Sequence, residues 1–139
     1  MAWRFAFAAE CGPERKHAEE VLENIVDSDW CPGPFYGHLD QDHEENWWAQ
    51  VNFPDLKEED YDEVRDMIYN NIKTLNFRFA MADIEVDIFR TYSELQEDLD
   101  RMHFDHLVLS QETWREFGIP NGFYSIGDNK MRSRTQNYV

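Results

Sequence analysis

Carboxylates at alternate positions of one predicted strand are the first residues that could do chemistry. In the stretch FRFAMADIEVDIFR, residues 77–90, Asp83, Glu85 and Asp87 are separated by β-branched residues. Successive strand side chains point to opposite faces, so these three acids, the acidic ladder, share one face. Three interpretations are open: a solvated sheet face, a binding face for a basic partner, or a magnesium site for phosphoryl chemistry assisted by Arg78 or Arg90.

Histidine and carboxylate residues also cluster in HLDQDHEE, residues 38–45, and HFDH, residues 103–106. In an extended chain His38, Asp40 and Asp42 point the same way, and His103 shares a face with Asp105. Imidazole and carboxylate ligands suit zinc, manganese or non-haem iron. One hypothesis is therefore a metal-dependent hydrolase or phosphoesterase with His38, Asp40, His103 and Asp105 as ligands. The alternative is a set of solvated turn and strand-end residues.

Other catalytic signatures are missing from the sequence. It contains no glycine-rich phosphate loop, no G-x-S-x-G, no H-E-x-x-H and no C-x-x-C. A pair of Cys11 with His17 is possible, but the sequence signals it only weakly. Cys11 and Cys31 lack metal-site spacing, which favours free thiols in a reducing cytoplasm. We therefore predict no cofactor and favour a non-catalytic role.

Net charge is the strongest global property. The chain carries 29 acidic and 13 basic residues, a formal charge of −16. Residues 1–100 hold 25 acids and 8 bases, a net −17, whereas residues 101–139 are nearly neutral. Such a field repels nucleic acid and attracts basic partners, although acidity also simply keeps a protein in solution.

Aromatic residues make up 15% of the chain and argue for a packed core. Most tryptophans are expected inside. Trp48 alternates with core residues on the polar side of its strand, so it has no evident need for burial. With Tyr36 it forms the best candidate for an aromatic interface anchor.

Hydrophobic periodicity places these residues on alternating elements. We predict a strand at 2–9, a helix at 13–28 and a hairpin with an acidic connection at 40–46, whose second strand Pro54 closes. A helix at 60–75 follows, capped reciprocally by Asp60 and Glu63.

In the second half of the chain, the strand 77–90 changes face near residues 82–83. A third helix is capped by Ser93 with Gln96 or Thr91 with Glu94. A strand at 104–109, one helical turn at 113–117 and a final hairpin, or a loose tail from about 127, complete the chain.

This order predicts a single α+β domain over 1–139: a two-layer sandwich with a largely antiparallel sheet and helices on one face. The open face would carry the acidic ladder and Trp48. No apolar run approaches the roughly 20 residues of a membrane span, and a cytoplasmic location is expected.

These features together favour an acidic inhibitor that blocks a basic macromolecule, such as an immunity protein against a nuclease toxin or a nucleic-acid mimic. It would contact a basic protein and neither nucleic acid nor membrane, as a monomer or homodimer. The partner-binding residues are predicted to be Asp83, Glu85 and Asp87, with a rim of Tyr36, Asp40, Asp42, Glu44, Glu45 and Trp48. A homodimeric structural protein that uses the aromatic face is a further alternative.

Overall fold

A computed structural model describes residues 3–26, 34–73, 75–83, 91–98, 106–118 and 122–133. Its strands are β1 (Trp3–Glu10), β2 (Tyr36–Gln41), β3 (Trp47–Leu56), β4 (Phe79–Asp83), β5 (His106–Leu109), β6 (Tyr124–Ile126) and β7 (Asn129–Ser133). Its helices are α1 (Arg15–Val26), α2 (Tyr61–Ile72), α3 (Tyr92–Asp98) and α4 (Gln111–Phe117). None of these helices is long and apolar enough to cross a bilayer.

The strands form one antiparallel sheet in the order β2-β3-β1-β4-β5-β7-β6, which confirms the predicted α+β class. β1 lies near the centre and pairs with both β3 and β4. The hydrophobic β1 sequence suits this position because a central strand is buried on both faces. β2 and β6 are the outer strands of the described sheet.

Helices α1 and α2 cover one face of the sheet, as the amphipathic periodicity predicts. Ala18, Val21 and Ile25 of α1 are fully buried, three and four residues apart. They join the inward residues of the central strands, such as Phe7 and Val51, in the larger hydrophobic cluster. The exposed residues of α1 and α2 are mainly acidic.

The opposite face carries a second hydrophobic cluster and is not open throughout. Trp48, Phe79 and Leu107 are buried there, and Leu95 of α3 and Trp114 of α4 pack against them. The expected exposure of Trp48 is therefore wrong, because only 2% of this residue is accessible. Its indole meets the ring of Phe79 edge-on, with centroids 5.3 Å apart. Two short helices supply the apolar surface that the strand pattern alone did not reveal.

Pro54 does not close β3, which continues to Leu56. The β1–β3 register slips between the pair Phe5–Phe53 and the pair Trp3–Leu56. The extra residue is therefore accommodated within Pro54–Asp55 of β3. A bulge is one of the few places where a sheet tolerates proline, since the missing N–H costs no ladder hydrogen bond there.

The structure confirms one of the helix caps predicted from the sequence and contradicts another. A 3₁₀ turn, Glu58–Asp60, leads into α2, and the Asp60 side chain makes no capping hydrogen bond, so the predicted reciprocal cap is wrong. Asp60 itself has helical backbone angles, which remove it from the extended geometry that a cap needs. At α3 the Thr91–Glu94 alternative is confirmed: the Glu94 amide donates to Thr91 Oγ1 over 3.2 Å.

Candidate binding surface

The hairpin of β2 and β3 brings several predicted site residues onto one face. Tyr36, His38 and Asp40 pair with Asn52, Gln50 and Trp48 respectively, so all three lie on the sheet face opposite α1. Tyr36 is 65% exposed, which makes it the one large hydrophobic side chain standing in solvent among the described residues. With the exposed Glu44 and Glu45 of the connecting turn, they form the acidic hairpin surface: Tyr36, His38, Asp40, Glu44 and Glu45.

Asp42 organises the turn and has little capacity left for a partner. Its Oδ1 accepts hydrogen bonds from the amides of Glu44 and Asn46, at 2.9 and 3.1 Å. Its Oδ2 accepts from the indole Nε1 of Trp48 at 2.9 Å. One carboxylate therefore ties the turn to the buried tryptophan. The predicted rim residues Asp42 and Trp48 form the base of the surface, while Glu44 and Glu45 project from it.

The turn also rests on the start of α3. The Ser93 amide donates to Glu44 Oε1 at 3.4 Å, and His43 lies 3.9 Å from a carboxylate oxygen of Glu94. Hydrogen bonding from Ser93 lowers the pKa of Glu44. The Glu44 carboxyl group therefore remains ionised to a lower pH than an isolated glutamate.

Glu45 has an unfavourable backbone conformation in the turn. Its φ is +65°, a left-handed value that asparagine and glycine adopt more readily than glutamate. We expect Glu45→Gly to raise the free energy of unfolding by up to about 1 kcal/mol, measured by urea denaturation. Glu44→Gly is the matched control because Glu44 does not have a positive φ. Glu44→Gly should lower the free energy of unfolding. Equal effects of Glu44→Gly and Glu45→Gly on stability would contradict this explanation.

The structure brings together half of the hypothetical metal site. His38 Nε2 lies 3.1 Å from Asp40 Oδ2, as expected for alternate positions of one strand. His103 and Asp105 lie outside the described residues. Within the described part of the chain, no group of three histidine, cysteine or carboxylate side chains is arranged to hold a metal ion.

The acidic ladder can be placed only at its first residue. Asp83 ends β4 and pairs with Ala6 of β1, whereas Glu85 and Asp87 lie outside the described residues, as does most of the predicted change of face. Three strand spacings separate β4 from β2, so the backbones of Asp83 and Tyr36 are about 14 Å apart. Strands β1 and β3 therefore lie between Asp83 and the Tyr36 end of the acidic hairpin surface.

A buried ion pair at the end of β1 was not predicted from the sequence. Glu10 is completely buried, and its Oε2 accepts from Arg78 Nε at 2.7 Å while Oε1 accepts from the Gly12 amide. Arg78 lies over the ring of Tyr92, with its guanidinium carbon 3.7 Å from the centroid. Burial raises the pKa of Glu10 more than Arg78 and Gly12 lower it. In the sequence, the only indication of this burial is the position of Glu10 at the end of an apolar run.

A cleft of about 440 Å³ opens at the same end of the sheet. Cys11 and His17, the weakly predicted pair, both line it. The Cys11 thiol donates to the carbonyl of Ala9, and burial raises its pKa to about 12. The thiol form is therefore favoured over the reactive thiolate at neutral pH. Lys73 and Asp128 also line the cleft, so it presents both signs of charge.

Comparisons of the chain with known protein families, curated proteins and solved structures found no match. The fold and the surface chemistry are therefore the basis for assigning a function.

Proposed function

We propose that this protein binds a basic macromolecule and blocks the surface that it covers. The observation that supports the proposal most directly is the acidic hairpin surface, which carries the exposed ring of Tyr36 at the start of β2 and the exposed Asp40, Glu44 and Glu45 towards and beyond its other end. An aromatic anchor and exposed acids on one hairpin suit a partner rich in lysine and arginine. Aromatic residues concentrate binding energy at interfaces, and surrounding charges select the partner and accelerate its approach.

Several arginines among the described residues pair with acids outside this surface. Arg15 pairs with Glu19, Arg65 with Asp62 and Asp66, and Arg78 with Glu10. Asp40 contacts His38, and 58% of its side chain is accessible. With a net charge of −16, the protein attracts cations over a long range, and the hairpin offers an ordered place for them to dock.

The finer proposal is that the partner is a nucleic-acid-processing protein. Basic surfaces of nucleases and DNA-binding proteins recognise rows of phosphates, and carboxylates on an ordered hairpin can occupy those positions. The protein would then act as an immunity protein against a nuclease toxin or as a nucleic-acid mimic. Either role requires inhibition by competition, in which binding excludes nucleic acid from the partner.

We expect poly-lysine to perturb the NMR amide resonances of residues 36–46 first in a titration at low salt. Binding should weaken by about tenfold or more when salt is raised from about 20 to about 300 mM, because exposed charges are screened. The triple variant Asp40→Asn, Glu44→Gln, Glu45→Gln should lower affinity by about tenfold, since each exposed pair contributes up to about 1 kcal/mol.

The matched control removes the same number of charges elsewhere. Asp55, Glu97 and Glu112 are all exposed and do not belong to the acidic hairpin surface, so Asp55→Asn, Glu97→Gln, Glu112→Gln should change affinity much less. Equal losses in the two triple variants, or affinity that does not change with salt, would contradict the proposal. Inhibition of a basic nuclease by the wild type, relieved in the hairpin variant, would support its finer form.

A further inference from the structure

The edge of β2 has backbone groups that point away from the sheet. The Asp42 amide donates to the Asn46 carbonyl at 2.9 Å, and this pair continues the β2–β3 register. Hydrogen-bonded pairs alternate in an antiparallel ladder, so Tyr36, His38 and Asp40 direct their backbone groups to β3. The backbone groups of Gly37, Leu39 and Gln41 therefore point outward, where no described strand pairs with them.

The hydrogen bonds on the other side of β3 support this alternation independently. The Trp47 amide donates to the Gly12 carbonyl, and the Trp47 carbonyl accepts from the Cys11 amide, at 2.7 and 2.8 Å. Trp47 thus faces the β1 side of the sheet and cannot bond its register partner Gln41. Consequently the outward direction of the Gln41 backbone follows from two separate sets of contacts.

The two faces of the sheet differ at this edge, since one is acidic and the other is covered by α1. On one face stand Asp40 and the turn residues Glu44 and Glu45. On the other face α1 packs closely, since a side chain at Gly37 would begin 3.0 Å from Val26 Cγ1. Helix α1 therefore covers this face of β2 with apolar side chains. A strand added to β2 would have the carboxylates of the hairpin near the side chains on its other face.

The opposite edge of the described sheet has a different character. β6 has only three residues, and its partner β7 carries Lys130 and Arg132. β2 has six residues and acidic neighbours. Length and charge therefore distinguish β2 as the edge that suits a basic segment.

We infer that the basic partner docks by adding an extended, lysine- or arginine-rich segment to β2. Its backbone pairs with the outward groups of Gly37, Leu39 and Gln41, while its side chains on one face reach the carboxylates of the hairpin. Main-chain pairing supplies affinity in this mode, and the side chains supply selectivity. This inference rests on the proposed function and specifies how the partner binds.

The test uses the full chain and a short synthetic peptide in which lysine alternates with threonine. The control peptide has the same sequence but is N-methylated at every residue, which keeps its charge and removes its donors. We expect the N-methylated peptide to bind at least about tenfold more weakly. Amide hydrogen exchange should slow at Gly37, Leu39 and Gln41 on peptide binding, and change little at His38 and Asp40.

A protein variant provides the matching control. Gln41→Pro removes one outward amide, whereas Gln41→Ala retains it, and both lose the side-chain bond to the Glu45 carbonyl. Weaker binding by the proline variant alone, with circular dichroism showing that both fold, supports strand addition. Equal, salt-sensitive binding of the two peptides would overturn strand addition and leave the proposed function standing. Binding of neither peptide at low salt would overturn both.

Discussion

Trp48→Ala is expected to lower the free energy of unfolding by about 3–5 kcal/mol, the range for removing a fully buried large aromatic side chain. Trp48 is 2% exposed, meets Phe79 edge-on and donates its indole N–H to Asp42. The substitution leaves a cavity in the smaller hydrophobic cluster. It also removes the donor that helps Asp42 to hold the turn, so the acidic hairpin surface should lose order as well.

Chemical denaturation followed by circular dichroism measures this change. Tyr36→Ala is the matched control, because Tyr36 lies on the same sheet face in the neighbouring strand but is 65% exposed. Surface substitutions of this kind change stability by only about 0.5 kcal/mol. A cost below about 1 kcal/mol for Trp48→Ala would mean that the indole is not part of the core.

Glu10→Ala is expected to cost about 3 kcal/mol, the lower end of the range for breaking a buried ion pair. The lower end applies because Arg78 is 36% exposed and keeps part of its hydration when Glu10 is removed. The substitution also deprives the Gly12 amide of its acceptor. Glu10→Gln, which retains an oxygen acceptor and similar volume, should cost clearly less in the same denaturation experiment.

The pH dependence of stability provides a second measurement at Glu10. Burial raises the folded-state pKa above the ordinary 4.5, so the folded state binds more protons than the unfolded state between these two values. The contribution of Glu10 to stability is therefore greatest below 4.5 and declines as pH rises through the folded-state pKa. The Glu10→Gln variant has no titrating group at this position, so this contribution to the pH dependence of stability should be absent. If both proteins showed the same dependence on pH in this window, the assigned direction would be wrong.

The Trp48 prediction bears on the proposed function through the hairpin. Asp42 uses its carboxylate to fix the turn, which spares Asp40, Glu44 and Glu45 for a partner. An ordered set of charges loses less conformational entropy on binding than a mobile one. The buried tryptophan thus supports the binding surface from below, although it does not touch the partner.

Periodicity in the sequence determined the order and type of most elements. The apolar repeat of α1 and the alternation of β3 each require one buried side, and the resulting α+β class was predicted correctly. The shared face of His38 and Asp40 was also predicted, because residues two apart on a strand point the same way, and the two side chains lie 3.1 Å apart. These features depend on neighbours along the chain, so local sequence is enough to specify them.

Tertiary structure alone decided the role of Trp48, the burial of Glu10 and the place of β2 at an edge of the described sheet. Trp48 stands among polar residues in its strand, and only the packing of α3 and α4 against that face makes it core. Glu10 is buried because Arg78, distant along the chain, reaches it. The position of β2 at the edge follows from strand order, which is set by pairings between distant segments. Such contacts have no periodic signature in a single sequence, because the energy that selects them arises only when the segments meet.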